Sequence, residues 1–445
     1  MLAYILLSQR LEGVPVTSFH YKLLLVMGLG WMFDAMDILM IGYALPVLKR
    51  PTVWGLTDAM GLLTISVGLM GLMVGAFLSG HAADLWGRKK VFQYTVLIYS
   101  AFSLFAAFSP DVYYLMLFRF LAGIGMGGQL PVVSALLSEF VPGKSRGRFI
   151  VLLESFWAYG AVAAALIGYF VIPAYGWQAA FIVGALPALL ILVIRSTVPE
   201  SPRYLIAKGR LEEARAVVER VEKAAGVRPP SAEGGLAPKG GGQVELKELF
   251  SPLFRNRTVL LWILWFCMSF TYYAIFTWLP TALSVELRSV ARGLEYTLII
   301  TLAQIPGYLS AAYLVERAGR KPVLTLYLIL TAVSAYFFGA AHDELTIRLA
   351  GSVMSFFNLG AWGVLYTYTP ELYPTRARGT GAGAASAVGR VGAILAPLTI
   401  IALTSSFFLV FALSAVLFAI GSVAVLTMGE ETRGRTLEEI SKETA

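Results

Sequence analysis

Charged and metal-binding residues are scarce in this chain of 445 residues. Only 14% of the residues are charged and three are histidine, while 58% are hydrophobic. The single cysteine, Cys267, excludes an intramolecular disulfide and a cysteine-ligated zinc cluster. The three histidines, His20, His81 and His342, are far apart in sequence, so neither a metal site nor a cofactor is expected. A mean hydropathy of +0.72 also excludes a soluble fold, because too little polar surface would face water.

Most of the chain consists of long apolar runs. Runs of 18 or more residues recur along the chain, and each can cross a hydrocarbon core of about 30 Å as a helix. The predicted spans are 21–48, 57–80, 91–109, 112–138, 149–173, 177–195, 258–284, 294–315, 322–341, 346–369, 379–404 and 406–428. Since the bilayer core holds no water for the backbone, helices are the expected form. The sequence therefore predicts an all-α integral membrane protein with twelve transmembrane helices.

The basic residues are concentrated in alternate loops. The net charge is +8, and a cytoplasmic N-terminus places the basic turns at 88–90, 144–148, 317–321 and 376–378 inside the cell. The opposite loops hold only Lys49, Arg50, Arg288, Arg292 and Arg348. By the positive-inside rule, both termini of this multi-pass membrane protein are expected in the cytoplasm. The basicity then reflects topology in the lipid bilayer, and no nucleic-acid partner is expected.

A shift of 232 residues superimposes charged motifs of one half of the chain on the other. Asp84, Gly87 and Arg88 fall on Glu316, Gly319 and Arg320, and Glu139, Pro142, Arg146 and Gly147 fall on Glu371, Pro374, Arg378 and Gly379. Such a repeat is typical of secondary transporters, whose two similar halves move about a shared central site. The predicted organisation is a six-helix half over 1–195, a cytoplasmic linker over 196–257, a second half over 258–428 and a cytoplasmic tail over 429–445.

The linker has two predicted parts. Apolar residues recur at helical spacing over 208–225, which predicts an amphipathic surface helix. The next stretch, 226–243, is rich in proline and glycine. We expect it to be a tether that lets the halves move, and a regulatory site is the alternative.

Charged residues inside the first and fourth spans predict a proton site. Asp34 and Asp37 are three residues apart and share one helix face. Two partly desolvated carboxylates this close do not both ionise easily, which favours uptake and release of a proton. Arg119 is expected at similar depth, within reach of Asp37. We expect Asp37 to carry the proton, with Asp34 as its partner and Arg119 as the alternating cation; a static buried ion pair is the alternative.

Arg390, in the eleventh span, predicts an anion site near the bilayer midplane. No acidic residue accompanies it in its own span, and its guanidinium offers two donors to a carboxylate. Glu154 of the fifth span is expected in the same site, or alternatively as the ion-pair partner of Arg390. The other predicted contacts are aromatic and amide side chains, namely Gln129, Trp157, Tyr272, Tyr273, Phe276, Gln304, Asn358, Trp362 and Tyr366. Rings beside an arginine suit a flat aromatic carboxylate.

The repeated charged motifs resemble those of the major facilitator superfamily. The matching stretches are 80–90 (GHAADLWGRKK), the motif at 139–147 with its shifted copy, 199–203 (PESPR) and 430–435 (EETRGR). The resemblance implies the major facilitator fold. Acids and bases at adjoining helix ends form charge pairs on one side of the membrane. We expect a gating latch for the outward-open state, formed by Asp84, Arg88, Glu139, Arg146, Glu316, Arg320, Glu371 and Arg378; a mere topology signal is the alternative.

Longer stretches resemble the bacterial nicotinate (niacin) transporters of the organic-ion branch. They are 28–37 (GLGWMFDAMD), 151–158 (VLLESFWA), 302–321 and 355–381, and the Asp-x-x-Asp pair is also similar to that of aromatic-acid/proton symporters. The resemblance implies import of nicotinate or a related aromatic monocarboxylate by alternating access. We expect proton-coupled symport by a monomer. Hydroxybenzoate-like acids or sugars are alternative substrates, and a non-transporting ligand sensor is the alternative class. No enzyme is expected, because the spans hold no nucleophile–base pair.

Overall fold

The computed structural model describes residues 10–11, 13–227, 246–373, 377–403 and 406–433, without the side chains of 143 and 144. In this part of the chain, twelve helices are long and apolar enough to cross a membrane. They are α1 (Ser18–Leu48), α2 (Asp58–Trp86), α3 (Arg88–Ala107), α4 (Val112–Phe140), α5 (Ser145–Tyr175), α6 (Trp177–Thr197), α7 (Arg255–Phe276), α8 (Val290–Ala318), α9 (Arg320–Gly339), α10 (Glu344–Glu371), α11 (Arg378–Ile401) and α12 (Phe407–Met428). The predicted all-α membrane fold with twelve spans is confirmed.

Most even-numbered helices begin with a side-chain cap. A hydroxyl or carboxylate oxygen accepts a hydrogen bond from the first turn of α2, α4, α8, α10 and α12, and the capping residues are Thr57, Asp111, Ser289, Asp343 and Ser406. Such caps satisfy backbone donors that have no partner within the helix. All five lie at one end of the bundle. We call the other end, where α2 meets α3 at Gly87, the basic end.

Two of the described helices are each divided by a single residue in the interior of the bundle. A single residue divides α4 at Gly128 and α8 at Ala303, and the second segments begin at Gln129 and Gln304. Both glutamines are fully buried. Irregular backbone at membrane depth is tolerated where protein or a cavity surrounds it, and not where it faces lipid. The interruptions therefore mark the interior of the bundle.

The two six-helix halves meet along α2 with α11 and along α5 with α8 and α10. The Ser66 hydroxyl donates to the Ile394 carbonyl over 3.3 Å, which joins α2 to α11. Gly42 of α1 packs against the Thr277 carbonyl so closely that a Cβ at this position would collide with it. Both contacts lie toward the end opposite the basic end. This end of the interface is thus closely packed.

The linker helix lies against the first half. The helix predicted over 208–225 is present as Leu211–Ala225, and its apolar face, with Val218 and Val221, is buried. Arg10 forms a bidentate ion pair with Glu222 of this helix, over 2.8 and 2.6 Å. The predicted tether over 226–243 lies almost entirely outside the described residues, and so do Pro374 of the repeated motif and the tail from 434 onward.

Candidate binding site

A cavity lies between the two halves, near the middle of the helices. Its empty volume, including the open mouth, is about 840 Å³. Eight helices contribute to its wall, four from each half: α1, α2, α4 and α5, and α7, α8, α10 and α11. A ligand in this cavity would contact both halves at once, as alternating access requires.

Aromatic rings form much of the cavity wall. Trp31 of α1 packs against Trp157 of α5, with ring centroids 4.9 Å apart. Across the cavity, Trp362 packs against Tyr366 at 5.5 Å and against Trp265 at 5.6 Å. The Trp157 indole donates to the Tyr272 hydroxyl over 2.6 Å, which joins the two halves. Such a wall suits a flat, largely apolar ligand.

Arg390 supplies the positive charge of the cavity. It lies on α11 beside Gly389, and its guanidinium donates to the carbonyls of Leu72 at 3.5 Å and Gly127 at 3.3 Å. The predicted alternative, an ion pair with Glu154, is absent from the described residues. Two long bonds to backbone carbonyls leave the charge without a counter-anion. The arrangement therefore favours an anionic ligand.

Glu154 is the acidic group of the same cavity. Its side chain projects from α5 and lines the cavity, although only 3% of the residue is exposed. Trp31 and Tyr308 lie close to it. Within the described ranges, it forms no ion pair, and the Trp31 indole is the hydrogen-bond donor beside it. The cavity thus contains one cation and one acid that do not neutralise each other.

A second set of charged residues forms an ion pair within the protein. Arg119 of α4 donates to the Asp37 carboxylate over 2.6 Å and to the Asp37 backbone carbonyl over 2.9 Å. The Ser103 hydroxyl donates to the other carboxylate oxygen over 2.5 Å. Asp37 is fully buried and Arg119 is 3% exposed. The expected reach of Arg119 to Asp37 is confirmed, while the proton-carrying role stays a prediction.

Asp34 stands apart from that pair. It is fully buried one turn earlier on α1, and neither carboxyl oxygen has a hydrogen-bond partner among the described residues. Asp37 and Tyr99 are within electrostatic range. Such a group is stable in the interior as a neutral acid and unstable as an isolated charge.

Seven of the predicted substrate contacts line the cavity and four do not. Those that line it are Glu154, Trp157, Tyr272, Tyr273, Trp362, Tyr366 and Arg390. Gln129, Gln304 and Asn358 are fully buried behind the wall, and Phe276 packs against Tyr272 at 4.8 Å. Three further aromatic residues of the wall were not selected from the sequence: Trp31, Trp265 and Tyr308. Helical spacing was the available signal for Trp265, because it precedes Tyr272 by seven residues and so lies on the same helix face.

At the basic end of the first half, Arg88 lies between two carboxylates. It is 3.2 Å from Asp84 and 3.8 Å from Glu139. The Ser201 hydroxyl, after α6, donates to Glu139. Nearby, Arg146 donates to the Ser138 carbonyl over 2.8 Å. The predicted charge cluster is therefore assembled within this half.

The second half repeats the cluster in a tighter form. Arg320 binds Glu371 with two hydrogen bonds of 2.9 and 2.8 Å. The Thr432 hydroxyl donates to Glu371 over 2.6 Å, at the position equivalent to Ser201. Glu316 is exposed and forms no ion pair in the described part of the chain, and Arg378 begins α11. These pairs stay within one half, so their action as a latch between states remains a prediction.

Two distant glutamates cap the helices that begin at the basic end. Glu200 accepts a hydrogen bond of 3.1 Å from the first turn of α3, and Glu431 accepts two of 3.0 Å from the first turn of α9. Gly87 and Gly319, which precede these helices, have φ of 97° and 98°. A Cβ at either glycine would also collide with the capping carboxylate. Both positions therefore require glycine.

Twelve spans in two halves around a central cavity, together with the family match and the relatives given next, define a transporter of the major facilitator superfamily. The chain belongs to the sugar (and other) transporter family, whose model matches residues 29–443. It is 49% identical to the niacin transporter NiaP of Acinetobacter baylyi, over 98% of this chain and 99% of that protein. It is 44% identical to the putative niacin/nicotinamide transporter NiaP of Bacillus subtilis, over 94% and 98%. The partially occluded, inward-open xylose transporter XylE of E. coli has the same fold, with a TM-score of 0.76 at 19% identity, over 94% of this chain and 100% of that one.

Proposed function

We propose that this membrane transporter imports nicotinate by alternating access, together with protons. The observation that carries the proposal is Arg390, a cation without a counter-anion, in a cavity walled by aromatic rings. A guanidinium binds a carboxylate through two parallel hydrogen bonds. The neighbouring rings of Trp362 and Tyr366 suit the flat face of a pyridine. The names of the two bacterial relatives agree with this substrate.

Proton coupling follows from the energetics of anion import. Moving one negative charge into a cell against an inside-negative potential costs about 2.3 kcal/mol per 100 mV. A proton that accompanies each anion cancels this cost. Asp37, Asp34 and Arg119 are our candidates for the proton-carrying set, because they are buried charged groups next to the cavity. In this scheme Arg119 holds Asp37 when the proton has left.

The orientation follows from the distribution of charge. The basic end, with the turns at 88–90 and 317–321, belongs in the cytoplasm by the positive-inside rule. Both termini then lie on that side of a bacterial inner membrane. The cavity is complete within one chain, which is consistent with a functional monomer. At the cytoplasmic face, the clusters of Arg88 and Arg320 act as latches that open and close with each cycle.

Uptake of labelled nicotinate into proteoliposomes tests the proposal. An inward-directed proton gradient should drive accumulation, and excess unlabelled nicotinate should block it. Protein-free liposomes and the Arg390→Ala variant are the controls. Uptake that stops at equal concentrations of nicotinate on the two sides would support nicotinate as the substrate and contradict proton coupling. The absence of uptake by folded, inserted protein would reject nicotinate.

A further inference from the structure

We propose that Glu154, as a neutral carboxylic acid, donates a hydrogen bond to the ring nitrogen of the substrate while Arg390 binds its carboxylate. Glu154 would then be the residue that distinguishes pyridine carboxylates from benzoates. This inference rests on the proposed function, since it assumes an aromatic anion in the cavity. The proposed function gives the carboxylate of the ligand a partner, and this inference gives its ring nitrogen one.

The surroundings of Glu154 favour the neutral acid. The residue is 3% exposed, and no cation lies within ion-pair distance of it in the described part of the chain. An isolated buried carboxylate is costly, and a group in such a place is stabilised by keeping its proton. A protonated carboxyl group has one O–H donor and further acceptor capacity. Glu154 therefore offers a donor to whatever occupies the cavity.

Two neighbours are suited to hold that donor in place. The Trp31 indole and the Tyr308 hydroxyl lie close to Glu154. The nitrogen of Trp31 has Glu154 as its one hydrogen-bonding neighbour among the described residues, and the hydroxyl oxygen of Tyr308 is buried without a hydrogen-bond partner there. Both groups donate, so they match the acceptor side of the acid and leave its O–H for the ligand. The ligand atom opposite Glu154 must then be an acceptor.

Arg390 and Glu154 line the same cavity from opposite halves, on α11 and α5. Tyr366 lies within electrostatic range of both, although the two form no ion pair with each other among the described residues. A ligand between them thus has a carboxylate at one position and a neutral acceptor at another. Nicotinate has this pattern, with its ring nitrogen at the position meta to the carboxylate. Benzoate has the same shape but carries a C–H group in place of the nitrogen.

Binding of three isosteric or nearly isosteric ligands to the purified protein tests this assignment. The probes are nicotinate, benzoate and 1-methylnicotinate, whose methylated nitrogen has no lone pair. We expect the wild type to bind nicotinate about tenfold more tightly than either of the others, because both leave the buried donor unpaired. Glu154→Leu should abolish this preference, because it weakens the binding of nicotinate and leaves the binding of the other two ligands unchanged. Glu154→Gln is the matched variant, since its neutral N–H keeps the donor and should keep the preference.

The outcomes separate this inference from the proposed function. If the wild type binds none of the three ligands, the proposed function fails. If it binds all three equally, and binding needs Arg390, the function stands and the assignment of Glu154 is wrong. The same conclusion follows from an unchanged preference in Glu154→Leu. If Glu154→Leu does not fold, equal binding of the three ligands by the wild type still overturns the assignment, and retention of the preference by Glu154→Gln together with its presence in the wild type supports it.

Discussion

Two sets of charged residues lie inside this membrane bundle, and they differ in how they are satisfied. Asp37 and Arg119 are fully paired at 2.6 Å, and Ser103 occupies the remaining carboxylate oxygen. Arg390 and Glu154 share a cavity wall yet do not pair. The first set is complete without a ligand. The second set has donors whose partners must come from outside the protein.

The difference separates a structural role from a binding role. A buried pair is costly to break, because removal of one member leaves an isolated charge. An unpaired group in a cavity contributes little to folding and much to recognition. The paired set should therefore respond to mutation mainly in stability and proton movement. The unpaired set should respond in affinity.

The largest effect is expected from Arg119→Leu. This change leaves the Asp37 carboxylate buried without its cation, at a cost of about 3–5 kcal/mol in the free energy of unfolding. The double variant Asp37→Leu/Arg119→Leu should regain much of this loss, because no charge is stranded. Arg390→Leu is the matched control in the cavity and should leave the thermal-unfolding midpoint in detergent nearly unchanged. Equal losses for Arg119→Leu and Arg390→Leu would erase the proposed distinction.

A smaller effect is expected from Arg390→Ala, and it should appear in ligand affinity instead of protein stability. Loss of charge-assisted hydrogen bonds to a carboxylate should weaken nicotinate binding by about 1.5–3 kcal/mol. Arg390→Lys should fall between wild type and alanine, since it keeps the charge but loses the two-pronged geometry. Calorimetric titration measures both. Wild-type affinity in the alanine variant would remove Arg390 from the site.

Asp37→Asn tests whether the paired set acts in proton movement and not in substrate binding. With a one-unit pH gradient, one coupled proton supports about 1.4 kcal/mol, or tenfold accumulation. The variant should lose this tenfold accumulation and retain exchange of labelled for unlabelled nicotinate. Asp34→Asn is the companion variant on the same helix. Accumulation that persists in Asp37→Asn and disappears in Asp34→Asn would move the proton site by one turn.

The smallest effect is expected at the basic end. The pair of Arg320 with Glu371 is bidentate, whereas Arg88 is 3.2 Å and 3.8 Å from its two acids. Partly exposed pairs contribute about 0–1 kcal/mol. Arg320→Gln should therefore lower the free energy of unfolding by a few tenths of a kcal/mol more than Arg88→Gln. Equal values in denaturant titrations would show that the geometric difference carries no energy.

The sequence predicted well what depends on a single helix. All twelve spans follow from the lengths of apolar runs, and the Asp37–Arg119 pair follows from counting residues to equal depth. Rotation of each helix about its axis was harder to foresee. Gln304 and Asn358 were expected in the cavity and lie behind its wall, whereas Trp31 and Tyr308 line it. An aromatic-rich span offers several faces, and only packing against neighbours selects one.

The caps of α3 and α9 bear on the order in which the protein is made. The chain leaves the ribosome from its N-terminus, and domains generally fold as units in that order. Glu200 follows the sixth span and completes the start of α3, so the first half becomes self-sufficient once that residue has been synthesised. In the second half, the start of α9 is completed only when Glu431, which follows the twelfth span, has been synthesised. A truncation before Glu431 would leave the second half uncapped, while the first half would already have assembled in the membrane.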